Sequence, residues 1–193
     1  TNDEKAQIIG FINTKTYGLV WENSTEKSWE QLKDFIPVLV EDKDKTINND
    51  TADQKNPNHI LIEGDNLLAL ANLYATHAGK VDVIYIDPPY NTGKEFVYND
   101  NLVGPDDEYK HSKWLSFMER RLVIAKNLLS EKGVILISID DNEQANLKLL
   151  CDSIFSETNF IGGLIHQRAK GGVQAKYVFK GHDYILVYGK NKE

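Results

Sequence analysis

After Pro57 the sequence alternates between two kinds of segment, and this alternation constrains the fold more than any other feature. Short runs rich in β-branched residues, "HILIEG", "VDVIYI" and "VILISI", are separated by longer stretches with an apolar residue every three or four positions. The first pattern is that of a buried strand and the second that of an amphipathic helix. Strands separated by helices of this length need crossover connections, which set them parallel with helices over both faces of the sheet. The last two runs, "FIGGLIH" and "DYILVYG", have no helical stretch between them, only the Gly- and Lys-bearing loop "QRAKGGVQAKYVFKGH". They are expected to pair antiparallel. The expected class is α/β, a Rossmann-like doubly wound and mostly parallel sheet.

The helices carry their own punctuation. Asp65 stands where an N-cap belongs, ahead of an apolar stripe of Leu67, Leu70, Ala71, Tyr74 and Ala75 that ends near Gly79. Trp114, Phe117, Met118, Leu122, Ala125, Leu128 and Leu129 mark a long helix, with Gly133 of "EKG" in the usual stop position. Asp141 and Gln144 have capping-box spacing before Leu147, Leu150, Cys151, Ile154 and Phe155. Residues 1–57 read as an N-terminal extension and linker. In it "FINTKTYGLVWE" suggests a strand pair, "SWEQLKDFI" a short helix, and "EDKDKTINNDTADQKNPN" a polar surface linker.

Charge and composition narrow the partners. Lysine and arginine number 22 against 29 acids, a net charge of −7, so contact with a polyanion has to come from a local basic patch or from protein outside these residues. The single cysteine, Cys151, has no partner for an internal disulfide, which fits a reducing compartment such as the cytoplasm. No apolar run is long enough to cross a bilayer, and "TNDEK" lacks the basic and apolar regions of a secretion signal. The chain begins at Thr1 and its one methionine is Met118, which suggests a piece of a longer protein.

The stretch "VDVIYIDPPYNTG" carries the chemistry. In an open α/β sheet ligands bind beyond the carboxyl ends of the strands, and Asp65, Asp87 and the pair Asp140 and Asp141 all follow expected strand ends. Pro88 restricts Asp87 to extended conformations, and neither Pro88 nor Pro89 can donate a backbone hydrogen bond. The result is a rigid group of acceptors. The Asp87 carboxylate and the Pro88 carbonyl can both receive protons from one amino group, while Tyr90 offers a flat face for stacking a planar ring. That set suits the exocyclic amine of a heteroaromatic base. Asp-Pro-Pro-Tyr turns can also end a strand for purely structural reasons. Yet a chance match in a chain of this length is expected only about once in a thousand sequences, which favours the functional reading.

"DPPYNTG", with "GDNLLAL" before it and "WLSFMERRLVIAKNLLSEKGVILISIDDNEQANLKLL" and "HDYILVYGKN" after it, resembles the amino-methylating DNA methyltransferases. Within them the likeness is to the modification subunits of type III restriction-modification systems, over residues 17–191. The resemblance implies the S-adenosylmethionine-dependent methyltransferase fold and transfer of a methyl group from S-adenosylmethionine to N6 of an adenine swung out of double-stranded DNA. It implies catalytic roles for Asp87, Pro88, Pro89 and Tyr90, and a cofactor role for Asp65, Asn66 and Asp87. A homodimer of the full-length protein, a restriction subunit with nuclease and translocase activity as partner, and a bacterial cytoplasmic setting go with it. The Ser-first form of the tetrapeptide is commoner among N4-cytosine enzymes, which stay as the alternative substrate class.

The basic residues suited to DNA phosphates are Lys94, Arg168, Lys170, Lys176 and Lys180, four of them in the glycine-bearing loop. Lys94 does not complete a nucleotide-triphosphate loop, because Pro88 stands where that pattern needs glycine. His59, His77, His111, His166 and His182 show no ligand spacing with one another or with Cys151, so no metal site is expected. The glycine-rich turn of a doubly wound cofactor site is absent, since "IGG" and "KGG" do not link a strand to a helix. In the resembled family the catalytic half comes first, then the target-recognition region, then a Phe-x-Gly-x-Gly cofactor strand. Residues 58–193 are thus expected to be the catalytic half of an incomplete domain, binding S-adenosylmethionine weakly or not at all by itself. A nicotinamide oxidoreductase lacks support without its Gly-x-Gly-x-x-Gly fingerprint. The non-enzymatic rival is an assembly module of a restriction-modification complex.

Overall fold

The computed structural model describes residues 19–46, 59–92, 109–168 and 181–192. Its elements in chain order are helix α1 (Lys27–Asp34), helix α2 (Asn66–His77), strand β1 (Val81–Ile86), helix α3 (Lys110–Leu128), strand β2 (Leu129–Ile139), helix α4 (Gln144–Phe155), a 3-10 turn (Glu157–Asn159), and strands β3 (Phe160–Gln167) and β4 (His182–Gly189). They form one sheet of order β1-β2-β4-β3. The crossover through α3 makes β1 and β2 parallel, while β4 runs antiparallel to both β2 and β3.

One apolar cluster holds these elements together. Ile135, Ile137 and Ile139 of β2 alternate onto one face, where they meet Leu186 and Tyr188 of β4, and Trp114, Met118 and Leu122 of α3 and Leu147, Leu150 and Phe155 of α4 close over them. Both long helices therefore cover the same face, and the expectation of helices over both faces is not met among the described residues. On the opposite face Val83 and Tyr85 of β1 are exposed. Strand β1 is also an edge, with β2 its only neighbour among the described residues.

Helix α2 starts as its sequence indicates. The Asp65 carboxylate accepts from the backbone N–H of Leu67 at 2.9 Å and of Leu68 at 3.2 Å, and Gly79 leaves the helix at φ +69°. Three expectations need correction. "HILIEG" is not a strand: residues 59–63 have no strand partner among the described residues, and Ile60 and Leu61 are exposed rather than buried. Gly133 does not stop α3, because that helix ends at Leu128 and β2 begins at once. Between Val81 and Val83 the β1–β2 register jumps from Leu129 to Val134, so residues 130–133 bulge. A Cβ on Gly133 would lie 2.8 Å from the Val81 carbonyl oxygen, so glycine stands here for close backbone approach. Asp141 does not cap α4 either. The N-cap residue is Glu143, whose side chain makes no cap hydrogen bond.

The helix expected in "SWEQLKDFI" is α1, tied to α3 by Arg120 and Arg121, which both pair with Glu26. The strand pair expected over residues 11–22 lies outside the described residues except for 19–22, which form no strand, and most of the polar linker lies outside them as well. No helix among the described residues is long and apolar enough to cross a membrane.

Candidate active site

Because β4 runs antiparallel to β2, its first residues lie at the same sheet edge as the last residues of β1 and β2. That edge gathers Asp87, Asp140, Asp141, His182, Asp183 and Arg168. Asp87 follows directly on β1 and is exposed, whereas Pro88, Pro89 and Tyr90 are half-buried. The chain leaves the sheet here since two prolines cannot extend the ladder. Trp114, fully buried in α3, donates its indole N–H to the Pro89 carbonyl at 2.7 Å. Tyr90 packs against the core cluster. Burial pushes its phenol pKa well above the ordinary value, and a hydrogen bond to Asp87 together with the negative charges of Asp87 and Asp183 pushes it further. The hydroxyl therefore stays protonated and donates to the Asp87 carboxylate.

Asn91 closes the turn in the left-handed conformation at φ 55°, which asparagine adopts more readily than most residues. It is buried, and its amide donates to Glu143 Oε1 at 2.5 Å and to the Lys110 carbonyl at 3.3 Å. Glu143 is itself buried, and also takes hydrogen bonds from His111 at 2.6 Å and Asn146 at 2.7 Å. Sequence reasoning passed over Asn91, Glu143 and Asp183. The one available signal was an asparagine, a residue suited to left-handed turns, directly after Pro-Pro-Tyr.

The other candidates fall as follows. Asp65 is the N-cap of α2, and with no strand before it the strand-edge ground for a cofactor role lapses. The Asn66 side-chain carbonyl accepts from Arg121 Nε at 2.7 Å, which turns it towards α3. Asp140 folds back on Asn142, accepting from its backbone N–H at 2.9 Å and its amide at 2.6 Å, and Asp141 accepts from Tyr184 at 3.0 Å. Arg168 pairs with Asp183 at 3.3 Å, while the other carboxylate oxygen of Asp183 is buried without a hydrogen bond. Lys94, Lys170, Lys176 and Lys180 lie outside the described residues. Among the described residues no group of three His, Cys, Asp or Glu could hold a metal ion.

The acidic, proline-rigid corner stands at the carboxyl end of a parallel strand, the edge at which open α/β sheets place their ligands. The family profile described as DNA methylase matches residues 81–193, and the chain belongs to that family. It is 42% identical over 209 residues to the EcoP15I Mod subunit of a type III restriction-modification enzyme from Escherichia coli, covering 94% of this chain and 31% of that protein. It is 47% identical over 131 residues to the type II methyltransferase M.KpnI of Klebsiella pneumoniae, covering 66% of this chain and 31% of that one. The chain thus spans about a third of the length of the curated relatives it matches. Among solved structures, the DNA modification methylase TTHA0409 of Thermus thermophilus, complexed with S-adenosyl-L-methionine, shares the fold with a TM-score of 0.50. The identity is 16%, over 67% of this chain and 52% of that one.

Proposed function

We propose that these residues form the catalytic part of a DNA methyltransferase that moves a methyl group from S-adenosylmethionine to N6 of an adenine extruded from double-stranded DNA. The observation that carries this reading is the exposed Asp87 carboxylate at the strand edge, set beside the half-buried Tyr90 ring on a two-proline corner. The Asp-first tetrapeptide favours adenine, as does the likeness to the DNA adenine methyltransferase YhdJ of Escherichia coli, 29% identical over 116 residues, 60% of this chain and 35% of that one.

The adenine amine is a weak nucleophile because its lone pair is delocalised into the ring. Asp87 and the Pro88 carbonyl accept its two protons, favour a more tetrahedral nitrogen and aim its lone pair. A carboxylate has lone pairs enough to take both an amine proton and the Tyr90 hydroxyl. The Tyr90 ring stacks on the base and offsets about 1–3 kcal/mol of the cost of unstacking it. Asp87 is also the base for the proton the amine sheds once the methyl group has been transferred. S-adenosylmethionine supplies an electrophilic methyl group on a sulfonium sulfur. Asp65 spends only one carboxylate oxygen on its cap, so the second is left for a hydroxyl of the adenosine. Arg168 and the lysines at 94, 170, 176 and 180 contact phosphates. The setting is the bacterial cytoplasm, with the full-length protein a homodimer that engages a restriction subunit.

The test is methyl transfer by the full-length protein carrying this chain, followed by mass spectrometry of the product nucleosides. N6-methyladenine that disappears with Asp87→Ala supports the reading. N4-methylcytosine moves the substrate to the other base, and no methylated nucleoside at all leaves the assembly module.

A further inference from the structure

A buried carboxylate is costly unless hydrogen bonds satisfy it, and a glutamate at a helix N-cap normally has no reason to be buried. Glu143 occupies the N-cap of α4 yet makes no cap hydrogen bond with its side chain, which is fully enclosed. Helix stability therefore does not account for it. The carboxylate instead faces three donors from three parts of the chain: Asn91 at the end of the Pro-Pro-Tyr corner, His111 at the start of α3, and Asn146 in α4. Asn91 is itself unusual as a buried residue at φ 55°. Glycine would adopt that conformation at no cost, so the conformation alone does not call for an amide. What the amide adds is the bond to Glu143 and the bond to the Lys110 carbonyl.

We propose that Glu143 is a positioning residue for the reaction: through Asn91 it fixes the backbone immediately after Tyr90 and so sets the direction in which the Asp87, Pro88 and Tyr90 groups present themselves. The corner is pinned at two points, by Trp114 at the Pro89 carbonyl and by Glu143 at Asn91, one on each side of Tyr90. The stretch held at both ends, Pro89–Asn91, carries Tyr90, and the two acceptors for the amine lie one and two residues before it, at Pro88 and Asp87, joined to it through two prolines that restrict rotation. The Glu143 side chain is fully enclosed, so it acts through Asn91. Its contribution is to geometry, and a misplacement of about 1 Å at reacting groups costs on the order of a hundredfold in rate. This inference rests on the methyl-transfer reading above.

The experiment uses the full-length protein with Asn91→Gly, Glu143→Leu, their combination, and Glu143→Gln. Asn91→Gly leaves the backbone free to keep its conformation while it removes the amide's bonds to Glu143 and to the Lys110 carbonyl, and Glu143→Leu removes the Glu143 bond alone from Asn91, so the two together isolate the tether. We expect Asn91→Gly and Glu143→Leu each to lower kcat by about 30-fold or more, with KM for DNA within about twofold. The double variant is expected to be no slower than the worse single one, as for two parts of one device. Glu143→Gln retains a side-chain carbonyl for the Asn91 amide and is expected to recover to within about fivefold of wild type. A second readout needs no activity: hydrogen exchange of the Trp114 indole N–H, followed by NMR, is expected to speed up about tenfold or more in Asn91→Gly as the corner opens locally. A wild-type kcat in Asn91→Gly overturns the inference, as does a double variant whose loss is the product of the single losses. If the wild-type protein transfers no methyl group, the functional reading falls by itself. Faster indole exchange would then still support the tether, and unchanged exchange would remove it.

Discussion

The indole of Trp114 and the carbonyl of Pro89 meet at 2.7 Å, joining the buried helix α3 to the corner that ends β1. This bond couples the core to the candidate site, because Trp114 is among the largest fully buried side chains and the corner has no ladder of its own to hold it. Trp114→Phe keeps most of the apolar volume and removes the donor, leaving the Pro89 carbonyl without its partner. Stability is expected to fall by about 1–3 kcal/mol, read as a lower urea midpoint with unchanged m-value. An unaltered midpoint would show that solvent replaces the indole without cost.

Tyr90 has two separable parts, a ring packed at the edge of the core and a hydroxyl on Asp87. Tyr90→Phe keeps the ring and is expected to lower methyl transfer by no more than about tenfold, roughly the net worth of one ordinary hydrogen bond, since solvent can reach the exposed Asp87 carboxylate in place of the hydroxyl. Tyr90→Ala removes the stacking face, with an expected loss of about 5- to 150-fold, from the 1–3 kcal/mol of base stacking. Asp87→Ala removes an acceptor used in the transition state and is expected to cost about 10²–10³ or more in kcat. Single-turnover rates under saturating DNA rank the three. A Tyr90→Ala defect as deep as that of Asp87→Ala would make the tyrosine more than a stacking platform.

Gly133→Ala is expected to strain the β1–β2 joint. The added methyl carbon would sit 2.8 Å from the Val81 carbonyl oxygen and 3.0 Å from the Ser130 carbonyl oxygen, both backbone atoms with little room to yield. Overpacking of this kind costs about 1–3 kcal/mol. Thermal unfolding should show the loss, and because Val81 begins the strand that ends at Asp87, the same variant should lower methyl transfer. Wild-type stability would show that the bulge opens without strain.

Much of this was legible in the sequence, and the failures share a cause. Short β-branched runs and the 3.6-residue period located β1, the buried half of β2, α3 and α4, and the lack of a helical stretch between the last two runs located the pairing of β3 with β4; the expectation that β1 is a buried strand failed, because it is an edge with Val83 and Tyr85 exposed. Asp65 was legible as a cap because capping is local. "HILIEG" has strand composition but no neighbour among the described residues, and composition cannot supply a partner. Gly133 looks like a helix stop until the bulge against Val81 is known, a contact 52 positions away in the chain. Asp87 and Tyr90 stood out by rarity. Glu143 did not, because its role depends on Asn91, His111 and Asn146 arriving around it from three segments.

Cys151 gives a test of the core by pH. It lies fully buried in α4, and desolvation raises its pKa well above the ordinary 9.0, with the neighbouring Asp152 adding to the rise and Lys148 opposing it. A pKa raised in the folded state means that folding favours the neutral thiol. That stabilisation is complete below pH 9, where the thiol is protonated in both states, and is lost as pH rises from there towards the folded-state value, since only the unfolded chain gains by ionising. Tyr90, Tyr184 and Tyr188 are also raised, from 10.0, so they share in any decline between pH 9 and 10, and the difference between wild type and Cys151→Ala is what reads the thiol. Unfolding free energy is expected to decline across that interval in the wild type and to decline less in Cys151→Ala, measured by urea titration at each pH. The native thiol should also resist a disulfide-exchange reagent at pH 8 and react fully once urea unfolds the chain, because the thiolate is the nucleophile and burial suppresses it. Rapid labelling of the folded protein would place Cys151 in contact with solvent and contradict the packing of α4 against β2 and β4.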